Sequence, residues 1–142
     1  MFHNDIDGVA LQETLDRDGT LVPLRNYQHF ILTAGEGVRG MAVYVKRSIP
    51  VELASPPGKC GGTECIAVKL RLAEGYLVLV NVYVSQNSLK FEQLPDSVFQ
   101  RPVLLVGDLN ARLDAMGFTG SRNWNGTVWH QFLSDCDVAR LL

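Results

Sequence analysis

The sequence predicts an α+β domain built mostly of strands, with at least one helix late in the chain. Three observations carry this expectation. Short runs rich in Val, Ile, Leu and Tyr recur along the chain, several with apolar and polar residues alternating. Clusters of Gly, Pro, Asp and Ser separate them. Helical spacing of apolar residues is clear near the end, at Val128, Trp129, Phe132 and Leu133.

The elements follow in order. Residues 8–11 (GVAL) read as a strand that leads into Gln12, Glu13 and Thr14. Residues 29–34 (HFILTA) are a second run, and residues 41–46 (MAVYVK) alternate with β-branched and aromatic side chains. Residues 65–72 (CIAVKLRL) alternate apolar with Lys69 and Arg71, which predicts one wet face. Residues 76–85 (YLVLVNVYVS) are long and apolar, and residues 103–106 (VLLV) are short and wholly apolar, as in a central buried strand. Residues 16–19 (DRDG), 35–40 (GEGVRG), 55–62 (SPPGKCGG) and 73–75 (AEG) read as turns or loops, and residues 71–76 as a hairpin connection. Ser88 is set to cap a short helix over residues 88–94, which Pro95 limits to a turn or two. Residues 125–135 predict the late helix, and residues 137–142 (DVARLL) return to a strand-like run. The order is not the regular alternation of a doubly wound fold.

The chain of 142 residues reads as a single domain over 1–142. Its 46% hydrophobic residues and mean hydropathy of +0.06 supply a core and exclude wholesale disorder. A net charge of −2 and the absence of a basic run announce no nucleic-acid binder, although a small cationic groove fits within a neutral total. Cys60, Cys65 and Cys136 are too few for a disulfide scaffold and lack zinc spacing, so they read as reduced thiols of an intracellular protein. The N-terminus has no signal-peptide pattern, and no run approaches the ~20 residues of a membrane helix, so no membrane partner is expected. Asn125, Gly126 and Thr127 fit a glycosylation sequon, read as chance.

Chemistry concentrates at strand ends. The apolar run at 9–11 is followed by Gln12 and Glu13. The run at 78–80 is followed by Asn81, Tyr83 and Ser85, and the run at 103–106 by Asp108 and Asn110. Residues two apart on a strand share a face, so an extended chain would project Asp108 with Asn110 and Tyr83 with Ser85. If these ends are neighbours, Glu13, Tyr83, Asp108 and Asn110 make an oxygen-rich site suited to a hard cation, Mg²⁺ most naturally, and to an anionic phosphate. Each residue also has a plainer reading. Asp108 and Asn110 read equally as turn formers, Glu13 as a solvated strand end, and Tyr83 as core packing with its hydroxyl at the rim. The 16–19 segment lacks the later ligands of a calcium loop, Gly58 and Lys59 lack the rest of a P-loop, and His3, His29 and His130 read as surface or core histidines.

Taken in order, four stretches resemble the endonuclease/exonuclease/phosphatase superfamily, which includes exonuclease III-like nucleases, DNase I-like enzymes and the endonuclease domains of non-LTR retrotransposons. DGVALQET at 7–14 is similar to its DIIALQET strand, NVYVS at 81–85 to NVYxP, and VLLVGDLNAR at 103–112 to the GDFNA strand. NWNGTVWHQFL at 123–133 is similar to NxNGxxLxxFL, particularly in retrotransposon-type members. The resemblance implies a four-layer α/β/β/α sandwich and a divalent-metal-dependent phosphodiesterase, most closely a DNA endonuclease of retrotransposon type. A phosphatase of the same fold acting on a small substrate, and a non-catalytic remnant, are the alternatives.

By motif position, the resemblance implies that Glu13 binds the metal, Mg²⁺ or alternatively Mn²⁺, and that Tyr83 contacts the scissile phosphate. It implies that Asp108 orients or activates the attacking water and that Asn110 stabilises the phosphate. No motif assigns a substrate-binding role to Lys46 or Arg112. DNA is the partner implied, with a reverse transcriptase domain in the intact protein and an intracellular, including nuclear, location. The family's first, Asn-bearing strand and its terminal Asp–His segment have no counterpart here. Tyr83, Val84 and Ser85 stand where the family has YxP, and Arg39 and Gly40 where it often has a Gly pair. The chain is therefore expected to be a partial domain, incomplete at both ends, with little or no activity alone.

Overall fold

In a computed structural model, residues 6–94, 102–114 and 117–135 are described. The β-branched runs fall into seven strands: β1 Gly8–Gln12, β2 Tyr27–Leu32, β3 Met41–Lys46, β4 Val51–Cys60, β5 Thr63–Leu72, β6 Gly75–Val84 and β7 Val103–Asp108. A 3-10 turn spans Phe91–Gln93, and the helix α1 spans Trp124–Asp135. Two sheets form. One is antiparallel in the order β1-β3-β2; the other has the order β4-β5-β6-β7, with β7 parallel to β6.

Alternation decides which side chain faces which layer. Along β6, Val78, Val80, Val82 and Val84 join Cys65, Ala67, Leu113 and Trp129 in a core between the four-stranded sheet and α1. Tyr83, one residue out of phase, joins Met41, Val43, Val45, Ile66 and Val68 in a second core between the two sheets. α1 buries its apolar stripe on the first core, where the rings of Trp129 and Phe132 stack 5.1 Å apart. The result is a partial α/β/β/α sandwich, the predicted fold class. Among the described residues, loop rather than helix covers the outer face of the three-stranded sheet, where the Tyr44 hydroxyl donates to the Val22 carbonyl at 3.2 Å.

Two expectations change, and a third goes untested. Residues 55–62, expected as a loop, lie largely in β4, prolines included. β4 is an edge strand whose pairing with β5 slips twice, between Leu53 and Ser55 and between Ser55 and Gly58, and bulged edges tolerate Pro. The short helix shrinks to the 3-10 turn, and the Ser88 hydroxyl donates to the Ser85 carbonyl at 2.7 Å instead of capping it. The strand-like run at 137–142 lies outside the described residues. The β5–β6 hairpin is as expected, closed at Gly75, whose φ of 140° favours glycine.

Candidate active site

The sheet registers bring three strand ends into one row. Glu64 pairs with Tyr83 across β5–β6, and Tyr83 pairs with Asp108 across β6–β7. Val103 and Leu105 pack toward α1, so alternation turns Asp108 to the opposite face, the one that carries Tyr83. β1 packs against β6 and β7 and brings Gln12 and Glu13 to the same edge. A buried amide fastens the two sheets there. Asn81, fully buried, accepts from Gln12 Nε2 at 2.5 Å and donates to the carbonyls of Leu11 at 2.9 Å and Ala42 at 3.2 Å.

Glu13 lies just past β1, and the backbone there is no longer extended. Its φ is 50°, and that of Leu15 is 55°. Left-handed conformations cost a non-glycine residue about 1 kcal/mol or more and persist where surrounding bonds impose them. Here Thr14 N donates to Gly40 O at 3.1 Å and Leu15 N to Arg39 O at 2.9 Å. The carboxylate remains accessible, 3.9 Å from Arg39 Nε. Both partners are too exposed for that pair to contribute much stability.

At the end of β7 the turn reading and the site reading prove compatible. Asp108 Oδ1 accepts the Asn110 N–H at 2.8 Å, an Asx turn. The chain does not stay extended to Asn110, so the expected side-by-side projection of Asp108 and Asn110 is corrected. Asn110 has a φ of 46° and reaches back to donate Nδ2 to Val84 O at 2.8 Å. Gly107, with a φ of 135°, permits the close approach of β7 to β6: a Cβ there would run into the backbone of Val82.

The start of α1 braces this turn. Asn123 is the helix cap, its Oδ1 accepting from Gly126 N at 2.9 Å and also from Arg112 N at 2.9 Å. Its Nδ2 donates to the Asn110 carbonyl at 2.6 Å. Asn125 is fully buried and uses its whole amide, accepting from Ser88 N and Leu89 N, both at 2.9 Å, and donating to Ser85 O at 3.0 Å and Leu109 O at 2.9 Å. Gly126 lets the helix lie on the Arg112 backbone, where a Cβ would collide. The NWNG stretch is thus the brace behind Asp108 and Asn110.

Burial raises the Tyr83 hydroxyl above the usual phenol pKa, the negative charges of Glu13, Asp108 and Glu64 add to the rise, and Arg39 offsets part of it. The phenol therefore stays protonated at neutral pH and is a hydrogen-bond donor. Glu64 is buried and spends both its oxygens on backbone N–H groups, so of these three carboxylates Glu13 and Asp108 are the ones a cation could use. Among the described residues no cluster of three or more Asp, Glu, His or Cys could hold a metal. A cation here would rest on one or two carboxylates and water, as Mg²⁺ commonly does.

The other candidates lie elsewhere or have other duties. The Lys46 ammonium lies 3.4 Å from the Asp7 carboxylate. The Arg112 guanidinium lies 5.4 Å over the Phe118 ring and, with Asn110 and Asn123, lines a groove of about 300 Å³ beside the site. A groove of about 830 Å³ runs along Pro50, Lys69, Arg71 and Tyr76 at the other end of the four-stranded sheet, away from this chemistry. His29 packs against Tyr44, and His130 is exposed on α1. Cys60 and Cys65 are free, and no described helix is long and apolar enough to cross a membrane.

Sequence reasoning missed Glu64, whose only signal was an acidic residue at the start of an otherwise apolar strand. It also quoted Asn123 and Asn125 as motif letters without a task. A family model described as Endonuclease/Exonuclease/phosphatase family matches residues 3–135. No curated protein and no solved structure matches the chain.

Proposed function

The chain belongs to the endonuclease/exonuclease/phosphatase family, whose members are hydrolases that generally use divalent metals, and from this premise we propose that it is a Mg²⁺-dependent phosphodiesterase acting on DNA, of the retrotransposon endonuclease type. The observation that carries this reading is the row of Tyr83 and Asp108 in register, with Glu13 close enough that its charge acts on the same hydroxyl.

Glu13, accessible at the rim, holds the metal together with water. When bound, the divalent cation offsets the negative charge that builds on the phosphate. The Tyr83 hydroxyl donates to a phosphate oxygen, and being protonated it does so without repelling the anion. Asp108 accepts a hydrogen bond from the attacking water and orients it. Asn110 spends one amide N–H on Val84, and an amide carries two, so the other is directed at the phosphate. The NWNG start of α1 favours the retrotransposon type over a small-molecule phosphatase.

The test is nicking of supercoiled plasmid by the purified chain in Mg²⁺ or Mn²⁺, beside abasic duplex and inositol phosphates. Slow, EDTA-sensitive nicking is expected, slow because no histidine stands beside Asp108 among the described residues. Asp108→Ala should abolish it. Hydrolysis of inositol phosphates with DNA untouched would assign the phosphatase activity instead, and cleavage indifferent to Asp108→Ala would remove the proposed site.

A further inference from the structure

We infer that Glu64 is a positioning residue for Glu13: its buried carboxylate clamps the 35–40 loop, and the clamped loop holds the segment after β1 in the turn that presents Glu13. The inference rests on the proposed metal-binding role of Glu13. Glu64 sits at the start of β5 with 1% of its surface exposed. A carboxylate is costly to bury unless charged or hydrogen-bonding groups surround it, and an apolar residue would fill the same space more cheaply. Something specific must therefore hold it there.

Its two oxygens take two consecutive peptide N–H groups, Arg39 N at 2.8 Å and Gly40 N at 3.1 Å. The carbonyls of those same two residues accept from Leu15 N at 2.9 Å and Thr14 N at 3.1 Å. Each link thus runs from the carboxylate through residue 39 or 40 to the residues that follow Glu13. Hydrogen bonds in such a chain polarise and strengthen one another. The fit is close: Gly40 has a φ of 87°, and a Cβ there would stand 2.6 Å from Thr14 Oγ1. Glu13 and Leu15, with φ values of 50° and 55°, flank the tied Thr14. Arg39, whose backbone Glu64 holds, places its Nε 3.9 Å from the Glu13 carboxylate. The loop has other fastenings, its own Gly35–Val38 bridge, Lys59 Nζ on the Gly37 carbonyl and Ala34 N on the Asp16 carbonyl at 2.7 Å, but of these contacts it is Glu64 that grips residues 39 and 40, the two that hold Thr14 and Leu15.

The experiment compares the chain with Glu64→Gln by amide hydrogen exchange and by Mn²⁺ affinity. Gln keeps the size and one acceptor but presents an NH₂ to one of the two N–H donors. Expected is about a tenfold or greater loss of protection at Thr14 and Leu15, with the β5–β6 ladder still protected. Mn²⁺ affinity should fall about tenfold, the effect typical of losing a group that supports a ligand. Glu64→Asp, which keeps the charge but is too short for both bonds, should show the same pattern more weakly and stands in if Glu64→Gln does not fold. Unchanged exchange at Thr14 and Leu15, or a loss no greater than that of the ladder, would overturn the inference. Absence of Mn²⁺ binding in the unmodified chain would instead refute the metal role of Glu13, and the exchange measurement would still decide the clamp.

Discussion

Tyr83 and Asp108 are register partners across the parallel β6–β7 pair, and both lie on the face turned toward the three-stranded sheet. The ring of Tyr83 belongs to the inter-sheet core, while its hydroxyl feels the charges of Glu13, Asp108 and Glu64. One side chain thus serves packing with its body and chemistry with its tip.

Tyr83→Phe separates those duties. The ring stays, so the unfolding free energy should change by no more than the ~1 kcal/mol typical of one hydrogen bond. The nicking rate should fall by about 10²-fold, as for loss of one preorganised donor to a developing oxyanion. A melting curve and a nicking time course measure the two. A rate unchanged in the variant would remove Tyr83 from the chemistry.

Asn125→Ala should be far more costly than its single amide suggests. It strands the N–H groups of Ser88 and Leu89 and the carbonyl of Leu109, and leaves the Ser85 carbonyl only the Ser88 hydroxyl. At 1–3 kcal/mol for each buried group left without a partner, partly relieved by water, the loss should be about 3 kcal/mol or more in urea unfolding. Asn125→Asp should also destabilise, since a carboxylate has nothing to donate to those carbonyls.

Gly107→Ala and Gly75→Ala make a matched pair. Both glycines have φ near 140°, at 135° and 140°. A Cβ at Gly107 meets the Val82 backbone, whereas at Gly75 nothing lies within 4 Å. The Gly75 variant should lose only the conformational term, about 1–2 kcal/mol, and the Gly107 variant well over ~3 kcal/mol or its fold. Equal losses would show that strain, not close approach, sets the cost.

The two described cysteines should differ sharply in reactivity. Cys60 is exposed, while burial pushes the Cys65 thiol up to about 12 from the ordinary 9.0. At pH 8 a thiol reagent should label Cys60 promptly and Cys65 only at the rate of opening. The raised value also sets a sign. Below pH 9 the thiol is protonated in both states and contributes no pH dependence. From 9 to about 12 the unfolded thiol ionises while the folded one does not, so stability falls as pH rises through that window. Cys65→Ala should flatten that decline in pH-dependent unfolding. Tyr83, whose pKa is also raised, should leave a residual slope above pH 10.

Much of the architecture could be read from local pattern. The alternating run at 41–46 became β3 with the same bounds, the hairpin at 71–76 closed where Gly75 allows it, and the periodic apolar residues near the end became α1. These features depend on period and backbone permissiveness, which neighbouring residues express by themselves. β4 was hidden because Pro56 and Pro57 read as loop until an edge position and two register slips accommodate them.

By itself the sequence determined that apolar runs lead into Glu13, Tyr83, Asp108 and Asn110, and that a helix follows over residues 125–135. Tertiary structure alone decided how those residues are held. The left-handed turn at Glu13 depends on bonds to Arg39 and Gly40, whose own backbone is gripped by Glu64, 25 and 24 residues away. The turn at Asn110 depends on Val84, 26 residues before it, and on Asn123, 13 after it. Local propensity cannot encode such positions, because a polar group satisfied by a distant strand looks in sequence the same as one satisfied by water.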